Sequence, residues 1–137
     1  MTYNPIVIVE DDDDDRELLI SIFQEIGVLN EFRCFDNPLP ALQYLKNTDE
    51  IPFIIISDLN LPKMNGLLFK QAINEDESIT KRKIPFVLMS TNKGRQSLEL
   101  AFNLSVQGYF QKTADIKSLK EIATAIMEYW KKSNFHL

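Results

Sequence analysis

Several apolar runs of this chain stop abruptly on a residue able to handle a hard cation or a phosphoryl group. Ile6-Val7-Ile8-Val9 runs into the carboxylates Glu10 and Asp11, and Phe53-Ile54-Ile55-Ile56 leads through Ser57 into a third carboxylate, Asp58. Two further strand-like runs end on the hydroxyl of Ser90 and the ammonium of Lys112. Buried strands that each deliver one polar group at their carboxyl ends describe an acidic cation pocket with a hydroxyl and a lysine beside it.

Three carboxylates at one site repel one another, and without a cation at least one has its pKa raised. A hard divalent ion resolves the repulsion. Magnesium suits an acidic cleft because it keeps several waters and takes one or two carboxylates plus a phosphate oxygen. Calcium is the weaker alternative, since the ligands come from distant strand ends and nothing resembles an EF-hand loop. A metal beside a carboxylate also screens an approaching phosphoryl group, so that the carboxylate can attack phosphorus and form an aspartyl phosphate. Asp58, directly after a buried strand, is the candidate nucleophile; Glu10 and Asp11 are the candidate ligands; Lys112 and Ser90 are placed to pair with phosphoryl oxygens.

Strand and helix signals alternate along the chain and supply the scaffold this chemistry needs. Strands are expected at Ile6–Val9, near Glu31–Phe35, at Phe53–Ser57, at Pro85–Ser90 and at Gly108–Gln111. Leu18, Leu19, Ile22, Phe23 and Ile26 recur at helical spacing, and Gly27 is placed to stop that helix. Asn37 with Pro38 opens a second helix whose inner face carries Leu42 and Leu45. A third runs through Leu67, Leu68, Phe69, Ala72 and Ile73, and the polar stretch from Asn74 to Lys83 closes that unit. The fourth is expected to turn Leu98, Ala101 and Phe102 inward. Asp115 caps a fifth carrying Leu119, Ile122, Ala123, Ile126 and Trp130. Five strand–helix pairs with short connections call for a parallel sheet wound on both faces, with its ligand crevice at the carboxyl ends of the strands.

The chain has 137 residues, 45% of them hydrophobic, which suits a single domain with one core. A net charge of −5 argues against broad contact with nucleic acid or an anionic membrane. The one basic cluster, Lys81-Arg82-Lys83, follows Glu75-Asp76-Glu77 and reads as a solvated loop of mixed charge. Cys34 has no partner for an intramolecular disulfide and reads as a small buried thiol. No run suits a secretory signal or a membrane span, so a cytoplasmic protein is expected.

The strings Ile-Val-Ile-Val-Glu-Asp-Asp, Ile-Ser-Asp-Leu-Asn-Leu-Pro-Lys-Met-Asn-Gly, Pro-Phe-Val-Leu-Met-Ser-Thr and Gly-Tyr-Phe-Gln-Lys resemble, in order, the signature regions of the receiver domain of two-component response regulators. The resemblance spans nearly the whole chain and implies a flavodoxin-like α/β fold with strand order 2-1-3-4-5. It implies that Glu10 and Asp11 hold Mg²⁺, that Asp58 is phosphorylated by a histidine kinase or phosphotransfer protein, and that the backbone carbonyl of Asn60 completes the metal site. Ser90 matches the switch hydroxyl, Lys112 the family's lysine, and Tyr109 the aromatic that turns inward on activation. In this family activation is a population shift that remodels the face made by the fourth helix, fifth strand and fifth helix. The downstream target is then a protein, and a homodimer through that face is a further expectation. Residues 1–137 are read as one receiver domain without an output domain, and the Glu-Tyr-Trp ending is similar to single-domain regulators associated with bacterial phytochrome kinases.

Two departures from the family pattern stand out. Thr113 occupies the place where proline usually follows the lysine, and a non-proline cis bond costs about 3 kcal/mol, so the loop there is expected to differ. Ser90 is followed by Thr91, and a one-residue slip would hand the switch role to Thr91. Asn60 and Asn92 are expected near the attacking water, where they tune the lifetime of the phosphorylated form. The bland readings assign Asp13, Asp14 and Asp15 to a solvated helix start, with Asp12 between that reading and a ligand's. Trp130 and Phe135 are core or partner surface, and the tail residue His136 is unsuited to a metal site or relay. Two competing functions are a magnesium-dependent phosphohydrolase, whose nucleophile would end the first strand, and an unphosphorylated receiver-like adaptor, which would typically lack an acid or the lysine.

Overall fold

In the computed structural model the described residues are 3–91 and 95–132. The expected residues Asn92, Phe135 and His136 lie outside them. Strands β1 (Ile6–Val9), β2 (Phe32–Phe35), β3 (Ile54–Asp58), β4 (Phe86–Ser90) and β5 (Gly108–Gln111) form one sheet. Its order is β2-β1-β3-β4-β5 and every neighbouring pair is parallel. β1, β3 and β4 are buried along their whole length, as continuous apolar runs covered on both faces must be.

Helices α1 (Asp13–Glu25) and α6 (Ile116–Lys132) cover one face of the sheet. The other face is covered by α2 (Pro38–Asn47), α3 (Gly66–Asn74), the single turn α4 (Glu77–Thr80) and α5 (Arg95–Asn103). On the first face Leu19, Ile22 and Phe23 of α1 meet Ala123, Ile126 and Trp130 of α6 over Ile6, Ile8, Ile54 and Ile56. On the second, Leu45, Phe69 and Ile79 pack over Val7, Ile55, Phe86 and Leu88. The alternation of side chains along each strand sends successive residues to these two cores.

The caps follow sequence chemistry. Asp12, Asn37 and Asn65 accept backbone hydrogen bonds from Asp15, Leu39 and Leu68 at the starts of α1, α2 and α3, and Asp115 accepts from Ser118 in the first turn of α6. Gly27, at φ 93°, ends α1 in the left-handed conformation that glycine adopts without steric penalty.

Several expectations need correction. α5 buries Ala101, but Leu98 is 52% exposed and Phe102 81% exposed. Only the Ala101 side of α5 meets the core of the second face, so Leu98 and Phe102 are left on its outer side. The segment from Asn74 to Lys83 is not merely polar loop: Asp76 caps α4, and its Ile79 is buried. Arg82 is not merely solvated, since its guanidinium donates to the carbonyls of Leu45 and Thr48 at 2.9 Å each and so closes the carboxyl end of α2. Cys34 is exposed, on the edge strand β2, where it is the one residue of the strand open to solvent. Trp130 is core, at 6% exposure. No helix among the described residues is long and apolar enough to cross a membrane.

Candidate functional site

β1 and β3 are adjacent and in register from Ile6 opposite Ile54 to Val9 opposite Ser57. Glu10 therefore emerges beside Asp58, although 48 positions separate them in the chain. Asp58 is the last residue of β3 rather than the first residue after it, so the strand's own ladder fixes its backbone. Carboxylate oxygens of Glu10, Asp11 and Asp58 lie within 4.8 Å of one another. Glu10 and Asp58 are each only 6% exposed, whereas Asp11 faces solvent. Two buried carboxylates and one open to solvent are a donor set of the kind a hard divalent ion takes.

The Asp58 backbone is held from three sides. Ser57 Oγ donates to the Asp58 carbonyl at 2.9 Å, and the Leu59 amide donates to Met89 of β4 at 2.9 Å. The Gly66 amide donates to the Leu59 carbonyl at 2.8 Å, which brings the start of α3 against this turn. The Asn60 amide, at 3.3 Å, donates to Asp58 Oδ1. Met-Asn-Gly is thus the end of the loop that folds back onto the phosphoacceptor candidate.

Lys112 follows β5, and its amide donates to the Ser90 carbonyl at 2.8 Å. Its ammonium donates to Glu10 at 2.5 Å and to Asp58 and Asp15 at 2.9 Å each. Burial alone pulls Lys112 downward, but the hydrogen bonds to Glu10, Asp15 and Asp58 outweigh it and hold the group above the ordinary lysine range. Glu10 moves the other way. Burial, reinforced by the Asp58 charge, pushes it up to about 7 against the pull of Lys112. The raised carboxylate expected from three converging acids is therefore Glu10.

Asp15 was missed by sequence reasoning, which placed it on a solvated helix start. It is the third residue of α1, and the first turn of that helix hangs over the strand ends. The available signal was position: a residue three beyond the Asp12 cap faces the same crevice as the end of β1. Asp12 is resolved as the cap, and Asp13 pairs with Arg16 at 2.6 Å.

Ser90 is fully buried at the end of β4, while Thr91 is exposed. Tyr109 is half-buried on β5 against the core of the second face. The peptide bond from Lys112 to Thr113 is trans, and Thr113 Oγ1 accepts from the Asp115 amide at 3.0 Å, which no proline could do. The departure from proline thus gives the loop a side-chain acceptor that leads into the cap of α6.

The sequence model of the response regulator receiver domain matches residues 6–124. The chain belongs to that family. Response regulator Rcp1 of Synechocystis sp. is 25% identical over 130 residues, covering 91% of this chain and 87% of that protein. The phosphorylated cyanobacterial phytochrome response regulator RcpA superposes with a TM-score of 0.84 at 28% identity, covering 96% of both chains. The Mn(2+)-bound form of Rcp1 has a TM-score of 0.82 at 24% identity over 96% of both chains, a likeness of fold. Receivers take a phosphoryl group from histidine kinases or phosphotransfer proteins onto an aspartate and bind a divalent metal at an acidic cluster, and the phosphohydrolase alternative falls with this assignment.

Proposed function

We propose that Asp58 is the residue phosphorylated, in a magnesium-dependent transfer from a histidine kinase or phosphotransfer protein. The phosphorylated chain then signals by binding a protein partner. The observation that carries this reading is the meeting of three carboxylates within 4.8 Å beside an ammonium 2.9 Å from Asp58.

Glu10, Asp11, Asp58 and the backbone carbonyl of Asn60 would hold the ion, which would neutralise phosphoryl oxygens beside the carboxylates. An Asp58 oxygen attacks phosphorus as the donor's P–N bond breaks. The electron pair goes to the donor imidazole, which takes a proton from solvent. Lys112, already held against Asp58, pairs with one phosphoryl oxygen of the product, and the Ser90 hydroxyl donates to another. Drawing Ser90 toward the phosphoryl group vacates space behind it that Tyr109 enters, which transmits the event to the face of α5, β5 and α6. A homodimer through that face is one readout of the change. In this reading the receiver domain's own surface carries the output, by binding a protein.

The test is incubation with acetyl phosphate and magnesium followed by intact mass measurement. A phosphate-sized adduct that is lost in Asp58→Asn and without magnesium is the expected result. An adduct that persists in Asp58→Asn would refute the assignment.

A further inference from the structure

Among the described residues five polar or charged ones are buried, and four of them are Glu10, Ser57, Asp58 and Ser90 at the site already described. The fifth is Lys70, 7% exposed, on α3. It lines a cleft of about 320 Å³ between α3, α4 and the residues that lead into β4 and β5, at the end of the sheet opposite Asp58. Among the described residues no hydrogen bond or ion pair reaches its ammonium. Its one recorded partner is the ring of Phe86, at 5.7 Å, near the outer limit of a cation–π contact. An ammonium withdrawn from water without an oxygen acceptor is costly, and burial pulls Lys70 below the ordinary lysine value.

The rest of the lining shows what would compensate it. Lys83 adds a second cation, Asn74 and Gln107 add side-chain amides, and no lining residue is acidic, although the whole chain carries a net charge of −5. Ile79, Pro85 and Trp130 make the remaining wall apolar. Two cations in the lining of one largely apolar cleft suit an anion with a greasy body, because each half of such a ligand finds its complement.

We propose that this cleft binds a small organic anion, its carboxylate or phosphate paired with Lys70 and Lys83 and its apolar body lying against Trp130. The site is separate from the phosphoacceptor cleft and does not depend on its chemistry.

Trp130 is the sole tryptophan, so its fluorescence reports on the cleft. The full chain is titrated with 4-phenylbutyrate, phenyl phosphate and the neutral 4-phenylbutanol. A saturable change is expected for at least one anion, in the low millimolar range proper to a fragment of roughly a dozen heavy atoms. The alcohol, and the same anion with Lys70→Met, should bind about tenfold or more weakly, the loss expected of one charge-assisted hydrogen bond. Lys70→Met keeps the packed methylenes and removes an uncompensated charge, so it should melt at or above the wild-type temperature. Preference for the carboxylate or for the phosphate identifies the headgroup, and either result supports the proposal. No saturable response to either anion, equal binding of the alcohol, or undiminished binding by Lys70→Met would overturn it.

Discussion

Replacing Gly66 by alanine tests whether the backbone behind Asp58 is as tightly determined as the geometry requires. A Cβ built on Gly66 falls 2.6 Å from the Asp58 carbonyl oxygen, 2.7 Å from Leu88 Cδ2 and 3.1 Å from Leu59 Cα. The leucine tip can swing aside. The carbonyl and the Cα are main chain, and one belongs to the phosphoacceptor candidate itself. Ordinary contact requires a separation of about 0.5 Å or more beyond what is present, so either α3 lifts or Asp58 moves. Overpacking of this kind costs about 1–3 kcal/mol, partly offset by the lower entropy of an unfolded chain with alanine, which leaves about 1–2 kcal/mol of destabilisation. For a chain of 137 residues that amounts to a fall in melting temperature of about 3–7 °C. Because a displacement of about 1 Å at reacting groups costs roughly a hundredfold in rate, the half-ångström shift here should slow adduct formation from acetyl phosphate about tenfold. Thermal unfolding and initial rates by intact mass give the two numbers. Gly27→Ala is the control: its cost arises from the positive φ with nothing within 4 Å, and it lies at the amino ends of the strands, away from the carboxyl ends that carry the site, so stability should fall while the rate holds. Wild-type stability and rate in Gly66→Ala would refute the reasoning.

Other perturbations address the remaining contacts. Lys112→Ala should still accept phosphate but fail to raise partner binding on phosphorylation; normal binding by the phosphorylated variant would remove Lys112 from the signalling role. Saturating the site with magnesium at about ten times its dissociation constant should stabilise the fold by roughly 1.4 kcal/mol, reversed by a chelator and lost in Asp11→Asn, which calorimetry can follow. Arg82→Met removes the guanidinium that caps α2 and should cost about 1–3 kcal/mol in urea unfolding, since charge-assisted hydrogen bonds to two carbonyls are lost. Glu50 is held below the usual glutamate range by hydrogen bonds from Arg33 and Tyr44. Its contribution is therefore present above the ordinary glutamate pKa and disappears as pH falls through the lowered folded value. Glu50→Gln should accordingly flatten stability against pH in the acid limb; an unchanged slope would show that the cluster contributes nothing.

Much of this protein was legible in its sequence. Apolar runs that end on Glu10, Asp58 and Ser90 mark the central strands, and with Lys112 after the edge strand β5 they fix which end of the sheet carries the polar groups, because parallel strands buried on both faces leave only their termini for chemistry. Capping residues such as Asn37 and Asp115 announced helix starts through local hydrogen bonding that needs no tertiary context. Tertiary structure decided what depends on neighbours distant in the chain. Asp15 became a partner of Lys112 because the Lys112 side chain, leaving the end of β5, reaches across to Glu10, Asp58 and the first turn of α1. Leu98 and Phe102 share α5 with Ala101, yet only Ala101 faces the sheet, because burial depends on how a helix sits on its neighbours as well as on its own periodicity. Lys70 reads locally as an ordinary helical lysine; the packing of α3 against β4 is what carries its ammonium out of water and leaves it beside a cleft.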